Sequence, residues 1–309
     1  MNAQYTVRLY DSSGSCRIEE VCFYFRYVKE LYTPYVYFEC RFLSSTEVMA
    51  EFNRAEFWIY GKLMHCGIID TIDIGRSNNR CCVSVRSKGF TSLLTQNQPE
   101  PGIMKDADLQ TVIESCPGIY YVEYENSDAE NYIYIKDGST VWDAVCNLSF
   151  RQNGIYPYIE SSNKVRITER KPARTVYLSS DDVLESGIRH DLTRLISHIH
   201  MQDIDGNYDV YSKTNEAAVS RNIVRHKQIP LDRQFLYSPD SAPDYKLKFS
   251  MRGMKCDYVR YAGYNYEDLF DQVTYGSLIK RKIHSVDVML RNGILTTSLG
   301  FYSDGFFSS

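Results

Sequence analysis

The chemistry this chain could carry rests on six histidines, nine cysteines and a few close pairs of carboxylates. His198-x-His200 has the spacing that puts two imidazoles on one face of a strand, and His190 nearby offers a third nitrogen for a divalent metal. No local cluster of carboxylates or thiolates completes such a set, so the pair reads better as strand residues on a wet surface or an interface. Asp203-x-Asp205-Gly206 resembles the start of a calcium loop. The bidentate Glu such a loop needs at its last position is missing, because Asn207 to Thr214 supply Tyr, Val and Lys instead; a hairpin turn is the expectation.

Paired carboxylates for acid–base work could come from Asp70 with Asp73, or from Asp181 with Asp182. The first two have opposite strand parity, and the second two sit in a polar "SSDD" loop, so both read as solvated surface. His65-Cys66 fails as a nucleophile pair because adjacent strand residues point to opposite faces. In Arg80-Cys81-Cys82, Cys82 is in phase with Ser84 and Cys81 with Val83, which puts at least one thiol in a core. The cysteines, at 16, 22, 40, 66, 81, 82, 116, 146 and 256, are odd in number and form no Cys-x-x-Cys. A disulfide framework and a zinc ribbon are therefore not indicated, and small buried thiols in a reducing cytosol are. Phosphate-loop, dinucleotide, nucleophile-elbow and His-Glu-x-x-His motifs are all missing from the sequence. No catalytic, cofactor-binding or metal-ligating residue is expected.

The elements that would position these residues are mostly strands. "YTVRLY", "VCFYFRYV" and "YVYFECRFL" alternate, "EFWIYGKLMHCGIIDTIDIG" continues them, and "SNN" at 77–79 turns the chain into "RCCVSVRS". Short strands without long helices suggest a barrel or sandwich. After a linker, "QNQPEPG" at 96–102, Leu109, Val112, Ile113 and Cys116 follow helical spacing, with Asp106 and Asp108 at the positive end and Pro117-Gly118 as the stop. Tyr120 to Ile135 reads as a strand pair around the acidic turn "ENSDAEN". Ser139 caps a second helix whose Trp142, Val145 and Ser149 share a side and whose end is Asn153-Gly154; "IYPYIES" and "KVRIT" then form a hairpin. Strands return with "LISHIHMQDI" and "YDVYSK" around a turn at 205–207, then "DYVRYAGY", "IKRKIHSVDVML" and "GILTTSLGFY", the last two joined at Asn292-Gly293. Residues 214–255 are ambiguous, with room for one or two short helices. The expected division is a β-region, barrel or sandwich, over 1–98, an α+β unit over 99–172 and a second β-region with short helices over 173–309; the resemblance given below makes both β-regions barrels.

Composition fits an ordinary folded protein: 309 residues, 43% hydrophobic and 24% charged. Thirty-five basic residues stand against 39 acidic ones, and splitting at 170 leaves 17 against 22 and then 18 against 17. Neither half has the basic surplus that binding duplex nucleic acid requires. Met1 to Tyr10 carries no signal-peptide pattern and no stretch is apolar enough for a membrane span, so neither a secreted nor an integral membrane protein is expected. The 26 tyrosines suit half-wet strands and interfaces more than a sugar-binding platform.

Two stretches echo one another. "IDI" at 72–74, a turn at Asn78-Asn79, a strand and "SKGF" at 87–90 run parallel to "VDV" at 286–288, Asn292-Gly293, a strand and "SDGF" at 303–306. The echo hints at two related β-domains. The order of features, from "GKLMHCGIIDTIDIG" and "VRSKGFTSLL" through "DLQTVIESC" and "STVWDAVCNLSFRQNGIYPYIESSNKVRIT" to "IHSVDVMLRNGILTTSLGFY", resembles the baseplate hub (tail-hub, or late-control-D-like) proteins of contractile phage tails and tail-like particles. The stretch Val141 to Thr168 carries most of the likeness. The chain departs from the family at "YEDLFDQV", where a Gly often stands, and over 214–255.

The resemblance implies a structural protein of the virion tail baseplate, assembled in the host cytoplasm and without catalytic activity. It implies a homotrimer whose subunits each offer two tail-tube-like barrels, adapting a six-fold tube to a three-fold spike. Its partners would be its own copies, the central spike and the tail tube, with wedge or tape-measure proteins as further candidates. Competing readings are a tail-associated cell-wall hydrolase, which needs paired carboxylates or a Cys/His/Asp set in one cleft, and a β-sandwich receptor- or carbohydrate-binding module.

Overall fold

The computed structural model describes residues 5–44, 51–77, 80–236, 238–303 and 305–307. Alternation drives the first region. Strands β1 (Tyr5–Tyr10), β2 (Cys16–Glu30), β3 (Tyr37–Ser44), β4 (Arg54–Ile59), β5 (Lys62–Ser77) and β6 (Arg80–Gly89) pair in the order β1-β4-β5-β6-β3-β2. Pairing of β2 back onto β1 closes a six-stranded barrel and leaves no free edge between them. Every second side chain points inward, so Phe25, Phe38, Phe42, Phe57, Val83 and Val85 are all fully buried. Phe57 stacks on Phe38 with ring centroids 4.4 Å apart and touches Phe25 at 4.6 Å. Each such ring contributes roughly 1.5–3 kcal/mol by leaving water. Gly67 sits where β5 leaves β4 for β6, and a Cβ there would collide with the Lys88 carbonyl. The turn expected at Asn78-Asn79 lies outside the described residues; Ser77 and Arg80 pair across it.

After a 3-10 turn (Phe90–Thr95) come β7 (Gly102–Ala107), α1 (Leu109–Glu114), β8 (Glu123–Tyr124), β9 (Glu130–Ile135), α2 (Val141–Asn153), β10 (Tyr158–Glu160) and β11 (Lys164–Arg166). Asp108 caps α1, its carboxylate accepting from the Thr111 N–H at 2.7 Å. The cap of α2 is Thr140 and not Ser139, because Asp143 three residues on completes a capping box with it. Gly154 ends α2 at φ 67°. Two strands form between Tyr120 and Ile135, but not with each other. The longer β9, which buries Ile133 and Ile135, pairs antiparallel with β7, and the two-residue β8 runs parallel to β11. The β10–β11 hairpin docks its tip on the barrel. There Asn163 accepts from the Phe90 N–H at 2.6 Å and donates to the Cys66 carbonyl at 2.9 Å.

The last region contains β12 (Thr175–Tyr177), β13 (Val183–His190), β14 (His198–Met201), β15 (Tyr211–Thr214), α3 (Glu216–Val219), β16 (His226–Ile229), α4 (Ser241–Met251), β17 (Lys255–Ala262), β18 (Gln272–Tyr275), β19 (Leu278–Lys282), β20 (Ser285–Arg291) and β21 (Ile294–Tyr302). The described residues between 214 and 255 thus hold two α-helices, a strand and a 3-10 turn (Arg233–Phe235). "IKRKIHSVDVML" is two strands, broken where Ile283 and His284 are buried and the His284 ring accepts from the Tyr302 N–H at 2.8 Å. Asn292-Gly293 makes the expected tight turn, with φ of 53° and 76°. Strand β20 pairs with β2, so the barrel's sheet continues as β2-β20-β21-β17-β13, ten strands in all. Two small sheets, β12-β18-β19 and β15-β14-β16, lie beside it in the topology. The chain is mainly β: a closed six-stranded barrel, an α+β unit, and a second β-region whose four strands extend the barrel's sheet and do not close on themselves among the described residues. Among the described residues no helix is long and apolar enough to cross a membrane.

Candidate functional site

The histidine pair acquires a third ring, but a different one from that expected. His198 and His200 share a face of β14, and parallel pairing sets His226 of β16 opposite His198. His190 ends β13, in the large sheet. The three ring planes are nearly parallel, with the His198 and His226 centroids 4.2 Å apart and their planes within 4°. His200 Nε2 and His226 Nδ1 hydrogen-bond each other at 3.3 Å, and the Nδ1 atoms of His198 and His200 bond Ser197 and Ser212, so these nitrogens are engaged instead of converging on a common point. Among the described residues no group of three His, Cys, Asp or Glu is placed to hold a metal. His226 was invisible to sequence reasoning because the β14–β16 pairing is non-local and 214–255 has no clean periodicity.

The other candidates are not assembled into a site. Asp203 accepts from the Asp205 and Asn207 N–H groups at 2.9 and 2.8 Å and so organises a turn. Asp70 falls on a bulge of β5 and pairs with Lys88 at 2.8 Å, whereas Asp73 stands exposed opposite Ser84. Asp182 accepts from the Ser179 hydroxyl at 2.6 Å, and Asp181 is exposed beside it. His65 points into the barrel against Ser87 at 2.8 Å, and burial pushes its pKa down to about 3. Burial raises the neighbouring Cys66 thiol to about 11, away from thiolate chemistry. Cys81 is buried and Cys82 exposed, as their phase requires; all nine cysteines are free thiols.

A polar cleft of about 340 Å³ beside α2 is lined by Asp143, Asn147, Asp232 and Lys246. Two of its three carboxylates are already engaged, Asp143 in the capping box and Asp232 as the cap of a 3-10 turn and 3.6 Å from Lys246; the third, Asp137, is exposed at its rim. The aromatic stripes are core on their inward side. Tyr158 is fully buried and donates to the Thr168 carbonyl at 3.0 Å, and Tyr302 is bonded to Glu30 at 2.5 Å.

What the fold does build is a repeated unit. Strands β2-β3-β6-β5 and β13-β17-β21-β20 are adjacent in the same order, each unit ending in the hairpin made by the last two strands of its region. The register repeats as well. Asp73 opposes Ser84 four residues before the last pair of the β5–β6 hairpin, and Asp287 opposes Ser298 four residues before the last pair of β20–β21. The "IDI"/"VDV" echo is therefore structural. "SKGF" and "SDGF" are displaced by two residues in this alignment, since Lys88 corresponds to Tyr302, and Asp304 lies outside the described residues.

The two units meet at a seam, where β2 pairs with β20 over six residues and Arg26 grips Asp287. In the large sheet two edges remain open among the described residues. One is the outer side of β13, last in the sheet; the other is the stretch of β5 beyond Ile68, where β4 no longer covers it. Thr71, Asp73, Ile74 and Gly75 there are exposed, as are Leu184 and Ile188 on β13. Open edges with apolar residues invite another strand.

No family model and no curated protein sequence matches the chain. Solved structures do. The tail protein from Neisseria meningitidis is 16% identical, with 98% of this chain and 97% of that one covered at a TM-score of 0.70. The 43 kDa tail protein of prophage MuSo2 from Shewanella oneidensis is 12% identical, covering 96% and 98% at 0.69. An Escherichia coli component of the type VI secretion system, itself described as similar to bacteriophage T4 tail proteins gp27 and gp5, is 10% identical, covering 93% and 75% at 0.58. Identities this low speak for fold alone: the chain has the fold of phage tail proteins over nearly its whole length.

Proposed function

We propose that this chain is a structural hub of a phage-tail or tail-like baseplate, trimeric when assembled, seating a three-fold spike beneath a six-fold tube. The observation that carries the reading is the repeated four-strand unit with an open edge at either end. A symmetry adaptor needs two similar units per subunit, so that three subunits present six. The likeness to tail proteins supports the same reading. Its natural units would be 1–98, 99–172 and 173–309. Self-association, the spike and the tube are the proposed partners, and the virion tail is the proposed location. The test is the solution mass of the purified chain over a concentration series, then a pull-down of the spike from the same tail locus. The reading expects a trimer that retains the spike; a chain that stays monomeric, or a trimer that does not bind it, contradicts the hub role.

A further inference from the structure

We propose that β13 of one copy adds to the open edge of β5 in a second copy, in the register that β2 and β20 already display within the chain. This inference rests on the trimer reading and specifies its interface.

The register follows from the repeat. The last pair of the β5–β6 hairpin, Ser77 with Arg80, corresponds to Arg291 with Ile294 in β20–β21. Carrying this across each sheet, Tyr37 opposite Lys88 corresponds to Cys256 opposite Tyr302. Val28 opposite Tyr37 then corresponds to Arg189 opposite Cys256. Strand β13 is thus the counterpart of β2, and β5 the counterpart of β20. At the internal seam Tyr27 opposes Val288 and Val28 opposes Asp287. The same seam between copies sets Ile188 opposite Ile74 and Arg189 opposite Asp73, with Gly187 facing Gly75.

The chemistry of these pairs agrees with the register, although nothing in the alignment required it. Ile188 is 59% and Ile74 38% exposed in the single chain, and pairing covers both. Both lie on the core side of their strands: Ile74 is opposite buried Val83, and Ile188 lies two residues from Ser186, which is opposite buried Val259. Arg189 and Asp73 lie on the other side, where the internal seam places its Arg26–Asp287 ion pair. An opposite-charge pair directly across strands is favourable, and a one-residue slip would put every side chain on the wrong face. The contact joins two different surfaces, so it propagates head to tail and closes into a ring.

The test combines native mass with cysteine cross-linking of the full chain. Directly opposed residues of an antiparallel pair have Cα atoms about 4.5–5.5 Å apart, within disulfide reach. The double variant Ile188→Cys with Ile74→Cys is oxidised with copper phenanthroline, and the single variants control for the native thiols. Ile188→Cys with Ile72→Cys, two residues out of register, is the register control. The inference predicts a covalent closed trimer only for the 188/74 pair. A trimer by native mass in which this pair fails to cross-link, or in which 188/72 links instead, overturns the interface and leaves the trimer reading standing. A chain that stays monomeric at every concentration overturns both.

Discussion

Arg26 on β2 and Asp287 on β20 hold each other across the seam between the two repeated units, with N–O distances of 2.6 and 3.1 Å. Both side chains are partly solvated, at 46% and 33% exposure, so the pair sets register more than strength. Asp287→Ala is expected to lower stability by about 0.2–1 kcal/mol in urea unfolding, because Val286 and Val288 beneath it keep the seam packed. A loss of several kcal/mol would show that the ion pair, and not the apolar ladder, holds the units together.

Lys29, three residues further along β2 and on its other face, is a different case. Its side chain is 3% exposed, and its ammonium pairs with Asp268 at 2.5 Å. Asp268→Ala strands a buried charge and should cost about 3–5 kcal/mol. Lys29→Met with Asp268→Ala should recover much of that loss. Equal damage from the single and double variants would contradict this account of the cost.

The α+β unit is clasped to the barrel by Asn163, whose amide bonds the Phe90 N–H and the Cys66 carbonyl. Asn163→Ala leaves both backbone groups unsatisfied and should cost about 2–4 kcal/mol, with hydrogen exchange rising first at Phe90. Unchanged protection at Phe90 would mean that the hairpin docks by shape alone. Gly89 shows how close the approach is, since a Cβ there would lie 2.9 Å from the Ser162 carbonyl oxygen.

Acid should weaken the fold through two histidines. Burial holds His65 and His284 neutral, with pKa values near 3 against an ordinary 6.5. Between those values the unfolded chain binds protons that the folded chain refuses, so stability is present above about 6.5 and falls as pH falls through the window. Each ring contributes up to about 1.4 kcal/mol per pH unit. Urea midpoints across the window should fall less steeply in His65→Gln than in the parent chain. Identical slopes would place the acid sensitivity elsewhere.

Local signals in the sequence were reliable where local physics decides the structure. Alternation marked the barrel strands, Asn292-Gly293 marked its hairpin, and Trp142, Val145 and Ser149 marked the buried side of α2. Partner choice was not legible. Nothing near Glu123 or Glu130 says that β8 and β9 pair with β11 and β7 and not with each other. The same limit hid His226 from His198. The echo between "IDI" and "VDV" marked a true repeat, but matching "SKGF" to "SDGF" misplaced its end by two residues. Only strand pairing shows that Lys88 and Tyr302 are equivalent.

The central claim is that this chain carries two equivalent units that continue from copy to copy. Electron cryomicroscopy of the assembled protein tests it most directly. The account predicts a three-fold ring of six four-stranded units, with Ile188 of each copy opposite Ile74 of the next. A particle in which β13 and the outer edge of β5 stay bare, or in which copies meet through other elements, would contradict it.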